Sequence, residues 1–267
     1  MLTDLRKKTL NELAGLIAED YSAGYVTDLG KLAAAEEAEV YIDQYDNSFD
    51  GLLVYDEDEK FHIHLNTYRG NNPDRPRGRF SFAHELAQLI IDEHRIPLMK
   101  GDVAPHGSLH DFKHNDIVEE EADYFASCLL MPEKLFRKIP RPRKFSFDTI
   151  IGIAKEFQTS ILATILRFVE VGSHDICVVV SENNTVRWRA RSNGFPKWAY
   201  RFKPGDPLPP NTVAGEYFTK HNAKYTGIEE VDPDSWFIPG WTANTQMHEQ
   251  CYYSDSYEFV ISLIWFD

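Results

Sequence analysis

Residues 84–88 read His84-Glu85-Leu86-Ala87-Gln88. On an α-helix the side chains at i and i+4 stand on one face about a turn apart, so residues 84 and 88 can reach a common ion. Two histidines at that spacing bind zinc through neutral imidazoles, and a glutamate after the first accepts a proton from the metal-bound water. Here the second position is a glutamine. A catalytic zinc also requires a third protein ligand and a fourth position open to water. A later apolar stretch supplies carboxylates in Glu119-Glu120-Glu121-Ala122-Asp123-Tyr124-Phe125-Ala126, followed by Cys128-Leu129-Leu130-Met131-Pro132. The chemistry open to such a set is hydrolysis, with Glu85 as general base.

Both stretches need rigid elements to hold them. Apolar periodicity predicts helices over 5–19 and 28–37, then strands near 38–43, 51–56 and 60–65, the last two joined by the acidic turn Asp56-Glu57-Asp58-Glu59. A Gly/Asn/Pro/Arg-rich loop, 69–78, leads into a helix from Phe80 to Glu93, and the lead-in Arg77-Gly78-Arg79-Phe80-Ser81-Phe82-Ala83 embeds it in a core. A second long helix is expected from Asp116 to Leu130, with Pro132 opening a short one. The basic link 138–144 precedes two helices, 147–157 and 160–170, with the outline of a helix-turn-helix. From residue 172 the texture becomes strand-like: 175–180 and 185–190 flank Glu182-Asn183-Asn184, and the chain closes on the strand-like 257–266. This predicts an α+β chain: a helical domain with a small β-sheet over 1–170, then a smaller, mainly β domain over 171–267.

Charge narrows the function classes. The 267 residues carry a formal net charge of −14. The first 170 hold 20 Lys and Arg against 30 Asp and Glu, and the remainder 8 against 12. Such a field repels phosphate backbones and anionic lipid, which argues against nucleic-acid or membrane-surface binding as the main activity. The helix pair at 147–170 fits this, since its second helix carries Arg167 as its one base. Three widely spaced cysteines, Cys128, Cys177 and Cys251, form no CxxC pair and read as reduced cytosolic thiols. The opening twenty residues have no apolar run ending in a cleavage site, and no stretch approaches the ~18–20 apolar residues of a membrane span. The expected location is the cytoplasm.

Three stretches, RGRFSFAHELAQLI (77–90), EEEADYFASCLLMP (119–132) and AKEFQTSILATILRF (154–168), together resemble the ImmA/IrrE family of metallopeptidases, in that family's order. YVTDLGKLAAAEEAEVYI upstream is similar to the family's opening helix and strand. The resemblance implies a zincin-like α+β domain over 1–170 that binds Zn²⁺ and cuts a DNA-binding transcriptional repressor, derepressing genes in mobile elements or stress responses. Longer members of the IrrE type carry a GAF-like second domain, and residues 172–267 are compatible with one. Carried over by position, His84 is the first metal ligand, Glu85 the general base, Gln88 stands where the family has its second histidine ligand, and Glu121 is the third ligand.

Gln88 is the main departure. Zinc favours imidazole nitrogen over a neutral amide oxygen. Losing even a partner that only orients a ligand costs ~10–100-fold in affinity or activity. Gln88 can still ligate through Oε1, or another histidine can substitute: His94 stands too far along the same helix, whereas His106, His110 and His114, spaced i, i+4, i+8 in the intervening loop, can fold over the site. Alternatively the metal is lost and the scaffold kept for binding. Other candidates have plainer readings. His62 and His64 share a solvated or hydrogen-bonded strand face. Asp92 and Glu93 end a helix, Glu119 and Glu120 are solvated unless one replaces Glu121 at the metal, Tyr124 packs at the core edge, and the tryptophans of the second domain are core. Two functions remain: a zinc peptidase acting on a protein, and a peptidase-like binding or sensor module.

Overall fold

The computed structural model describes residues 2–108, 116–141, 144–217, 226–238, 246–254 and 259–266. The chain divides into two compact units, Met1–Ile139 with Ile153–Thr164, and Pro140–Gly152 with Ile165–Asp267. This division runs through the helix pair 147–171. No single helix among the described residues is long and apolar enough to cross a membrane.

The first unit begins with α1 (Asp4–Tyr21), whose Thr3 side chain accepts a hydrogen bond from the Arg6 amide, and continues through the short pair β1 (Ser22–Ala23) and β2 (Val26–Thr27). Helix α2 (Leu29–Ala35) follows, capped by Asp28. Strands β3 (Glu39–Asp43), β4 (Gly51–Tyr55), β5 (Phe61–Asn66) and β6 (Gly107–Ser108) form one sheet in the order β3-β5-β4-β6, with β3 parallel to β5 and the other pairs antiparallel. The acidic turn between β4 and β5 closes as expected, with Glu59 at φ 62°.

Helix α3 (Pro76–Ile90) starts on a proline, whose missing N–H costs nothing at a first helical position. It runs against β4 and β5 on one side and α5 (Ile117–Leu130) on the other, and residues Ser81–Leu89 are all buried. The single helix expected over 80–93 is in fact two. It breaks at Ile91, and α4 (Asp92–Met99) begins there, so Asp92 and Glu93 open a helix rather than end one. The core that joins these elements includes Leu53, Ile63, Leu65, Leu86, Leu89, Phe125 and Leu129. Helix α6 (Glu133–Phe136) follows Pro132. Helices α7 (Phe147–Phe157) and α8 (Ile161–Val171) match the expected pair.

In the second unit β7 (Ile176–Glu182) and β8 (Thr185–Arg191) form the anticipated hairpin, with Asn183 and Asn184 both at positive φ, as the tight turn between twisted strands demands. Later come β9 (Ala199–Tyr200), α9 (Val213–Tyr217), β10 (Glu229–Val231), β11 (Phe237–Ile238), β12 (Met247–Ser254) and β13 (Phe259–Phe266). Five strands make an antiparallel sheet in the order β10-β12-β13-β7-β8, and β9 pairs with β11. Trp236, Phe237, Phe195 and Val179 share its core.

The approach of α3 to the preceding loop requires glycine at 78. A Cβ there would collide with the backbone carbonyl of Asn72. Gly78→Ala is therefore expected to cost about 1–3 kcal/mol and to lower the thermal midpoint by several degrees in a calorimetric or circular-dichroism melt.

Candidate functional site

The packing of α3 on α5 decides which side chains meet. His84 is fully buried, and its Nδ1 lies 2.8 Å from Asp123 Oδ1, where the ring N–H donates to the carboxylate. Its Nε2 faces Ser108 Oγ at 3.0 Å, Gln88 Nε2 at 3.2 Å and Glu119 Oε2 at 3.4 Å. Gln88 Nε2 donates to Glu119 Oε1 at 2.9 Å, and His106 Nε2 stands 2.9 Å from the same oxygen. Glu85 is directed toward β4, where a Cβ on Gly51 would stand 2.5 Å from its Oε1, and it stays within the electrostatic reach of His84, Ser108, Glu119 and His106. Among the described residues neither oxygen of Glu85 has a well-formed hydrogen bond, although the residue is fully buried; Ser108 lies close enough to lower its proton affinity.

A second polar network holds the strands that flank this cluster. Asp50, buried at the start of β4, accepts from Arg77 Nη2 at 3.0 and 2.9 Å and from Asn71 Nδ2 at 3.0 Å. Ser81 donates to Asn71, and the Asp50 amide donates to the Ser108 carbonyl at 2.8 Å. Through these bonds Gly51 is fixed beside Glu85 and Ser108 beside His84.

Glu121, the ligand carried over by position, is not brought to His84. Arg6 grips its carboxylate in a bidentate pair, both bonds 2.6 Å, and His94 Nε2 approaches at 3.0 Å. The reason is helical phase: residues 119 and 123 lie one turn apart and face α3, while 121 is turned roughly 200° from 119 toward α1 and α4. Glu119, rather than Glu121, therefore faces His84, and His94 belongs to α4 rather than to an extended α3. Glu120 accepts from the Leu2 amide. His62 and His64 bond Asp56 and Tyr45, as a hydrogen-bonded strand face should. Tyr124 lies under the Lys7 ammonium, and Trp236 and Trp265 are core. His110 and His114 lie outside the described residues, as does Trp241. Asp123 and Ser108 escaped the sequence reading; the i+4 spacing of Asp123 from Glu119 was the available signal for the first, and no local pattern marks the second.

The charges are mutually dependent. Burial opposes a charged His84, but its bonds to Asp123 and Glu119 prevail and raise it to about 10. Burial raises Glu85 to about 7. Glu119 is pushed up by burial yet held well below the ordinary carboxylate range by His106 and His84. Glu121 is lowered chiefly by Arg6.

The family profile of the IrrE N-terminal-like domain, a metallopeptidase family, matches residues 48–168. This segment, less than half of the chain, is similar to that family's domain. The fold agrees with a solved structure of a Mycobacterium tuberculosis transcriptional regulator at a TM-score of 0.60 and 14% identity, over 97% of this chain and 76% of that one. Comparison with curated proteins returns no match.

The IrrE-like domain has two donors placed as zinc would place them. Ligands at ~2.0–2.1 Å on a tetrahedral zinc stand ~3.3 Å apart, close to the separation of His84 Nε2 and Glu119 Oε2. The third donor does not fit. Gln88 turns its amide nitrogen, which cannot ligate, toward both, and reversing the amide would set Oε1 against Glu119 Oε1. Among the described residues no three His, Cys, Asp or Glu side chains form a group able to hold a metal. The residues therefore do not fit a zinc site of the two-histidine, one-carboxylate type.

Glu85 makes the centre sensitive to pH. A carboxyl raised by folding holds its proton more tightly in the native state, so its contribution is complete below the unfolded value of 4.5 and is lost as pH rises through about 7. Glu85→Gln removes that loss. The variant is expected to match the wild type near pH 4 and to exceed it by about 1–3 kcal/mol near pH 8 in denaturant melts at the two pH values.

Proposed function

We propose that this chain is an IrrE-type regulator that keeps the peptidase scaffold but acts by binding a protein partner, without zinc-dependent cleavage. The observation that carries the reading is the Gln88 amide, bonded across the gap where the family's second imidazole and its metal would stand. The partner class that the family and the fold support is a DNA-binding transcriptional repressor in the cytoplasm. The interior of the centre then serves to hold α3, α5 and β4 in register beneath the surface that meets the partner.

A second reading, hydrolysis of the same repressor, is favoured by one feature. Glu85 keeps a carboxylate with no well-formed hydrogen bond among the described residues next to His84, as a base awaiting a water would.

Metal analysis separates the two. The wild-type protein is expected to lose zinc on dialysis and to melt at the same temperature with and without a chelator. Gln88→His is expected to retain about one zinc per chain and to lose thermal stability on chelation. In that background Glu119→Gln should release the metal and Glu121→Gln should not, the reverse of the assignment by position. Stoichiometric zinc in the wild type, with repressor cleavage abolished by Glu85→Gln, would replace the binding reading with the hydrolytic one.

A further inference from the structure

The second unit contains a concentration of positive charge that its acidic composition conceals. Residues 183–205 hold six cations, Arg187, Arg189, Arg191, Lys197, Arg201 and Lys203, and no Asp or Glu. Two of them are set apart by their surroundings. Arg187 pairs with Glu182, and Arg201 stands near Asp234. Arg189 and Arg191 have no carboxylate partner among the described residues.

Strand register places these two on one face of β8, since residues two apart point the same way. Their cross-strand neighbours are Val179 and Cys177, both buried in the aromatic core of the unit. The stems therefore lie at the margin of an apolar cluster, and both residues are half-buried. Both guanidinium groups stand over the same ring: Arg189 is 4.0 Å from the Tyr200 centroid and Arg191 is 5.2 Å from it. Arg191 is braced by bonds from Nη1 to the carbonyls of Pro196 and Trp198, at 3.1 and 3.0 Å. Arg189 stacks on Tyr200, and no hydrogen-bond acceptor meets its N–H groups among the described residues.

Two like charges over one ring, partly removed from water and without a counter-carboxylate, repel each other more strongly than they would in bulk solvent. Stacking offsets part of that cost and fixes the planes of the guanidinium groups. What remains is a pair of forks held against one ring, whose N–H groups not taken by the Pro196 and Trp198 carbonyls suit an oxyanion. A carboxylate would neutralise one of the two charges, whereas a phosphate monoester carries about −1.5 to −2 at neutral pH and matches both.

We propose that Arg189 and Arg191, oriented by Tyr200, form a binding site for a phosphate group, free or as a monoester, on the second unit. The group can be free phosphate or the phosphate of a nucleoside monophosphate, and the two sources are distinguished by affinity. The proposal does not rest on the state of the peptidase-like centre.

Isothermal titration of the full chain with inorganic phosphate, a nucleoside 5′-monophosphate and acetate tests it. Saturable binding of at least one phosphate probe, stronger than acetate and weakened by salt, is expected. Equal affinity for the two phosphate probes assigns the site to the bare phosphate group, and tighter binding of the nucleotide assigns it to the ester. Arg189→Gln is expected to weaken binding about tenfold or more, and Arg187→Gln, whose native partner is Glu182, to leave it unchanged. Arg189→Lys keeps the stem and the charge but loses the fork, and an intermediate affinity with an unchanged circular-dichroism spectrum supports the site independently of folding. Absence of saturable binding to either phosphate probe at millimolar concentration, or equal binding by the wild type and Arg189→Gln, overturns the proposal.

Discussion

A helix buried on all sides must find a partner for every polar side chain it carries, because an unmatched polar group in a low-dielectric interior costs about 1–3 kcal/mol. Helix α3 buries five: Arg79, Ser81, His84, Glu85 and Gln88. Arg79 donates to the Thr27 carbonyl, Ser81 to Asn71 and Gln88 to Glu119. His84 lies between Asp123 and Ser108. These partners are spread over four other elements, so the positions of β2, the loop before α3, β6 and α5 are all tied to the polar needs of one helix. Glu85 is the exception, since neither of its oxygens has a hydrogen-bond partner among the described residues.

The substitution at position 88 changes what joins α3 to α5. In a two-histidine, one-carboxylate site a divalent cation draws three donors together and offsets the negative charge of the carboxylate. Here one amide N–H and two imidazoles approach Glu119 instead. A charge-assisted hydrogen bond is shorter in reach than a metal bridge, so the amide draws α3 and α5 together directly through Glu119. The arrangement retains the register of the two helices and the orientation of His84 through Asp123.

Most of the framework was legible in the sequence. The strands β3, β4 and β5, the β7–β8 hairpin and the helices carrying residues 84 and 119 follow from periodicity and turn chemistry, both of which are local. The misreadings arose where the deciding interaction is distant in the chain. Three successive glutamates each present a carboxylate roughly 100° from the last, and local pattern does not say which faces α3. That choice is fixed by Arg6, 115 residues away from Glu121, and by Gln88, 31 residues from Glu119. The break at Ile91 was hidden because the apolar pattern runs through it, while the backbone turns there so that His94 can reach Glu121. Ser108 enters through the short pairing of β6 with β4, two residues long and without a periodic signature.

Glu85 shows why losing one ligand need not dismantle the rest of such a centre. Its carboxyl is lodged against Gly51, and Gly51 is held by the Asp50–Arg77–Asn71 network, none of which touches residue 88. A buried carboxyl with no hydrogen-bond partner is a net cost to folding, and that cost is greatest when the group is ionised. Raising its proton affinity limits the penalty, since the neutral acid tolerates burial far better than the anion. The backbone that surrounds Glu85 is thus stable enough to carry an unfavourable group without collapsing around it. The same rigidity holds the adjoining parts of α3 and β4 together independently of residue 88.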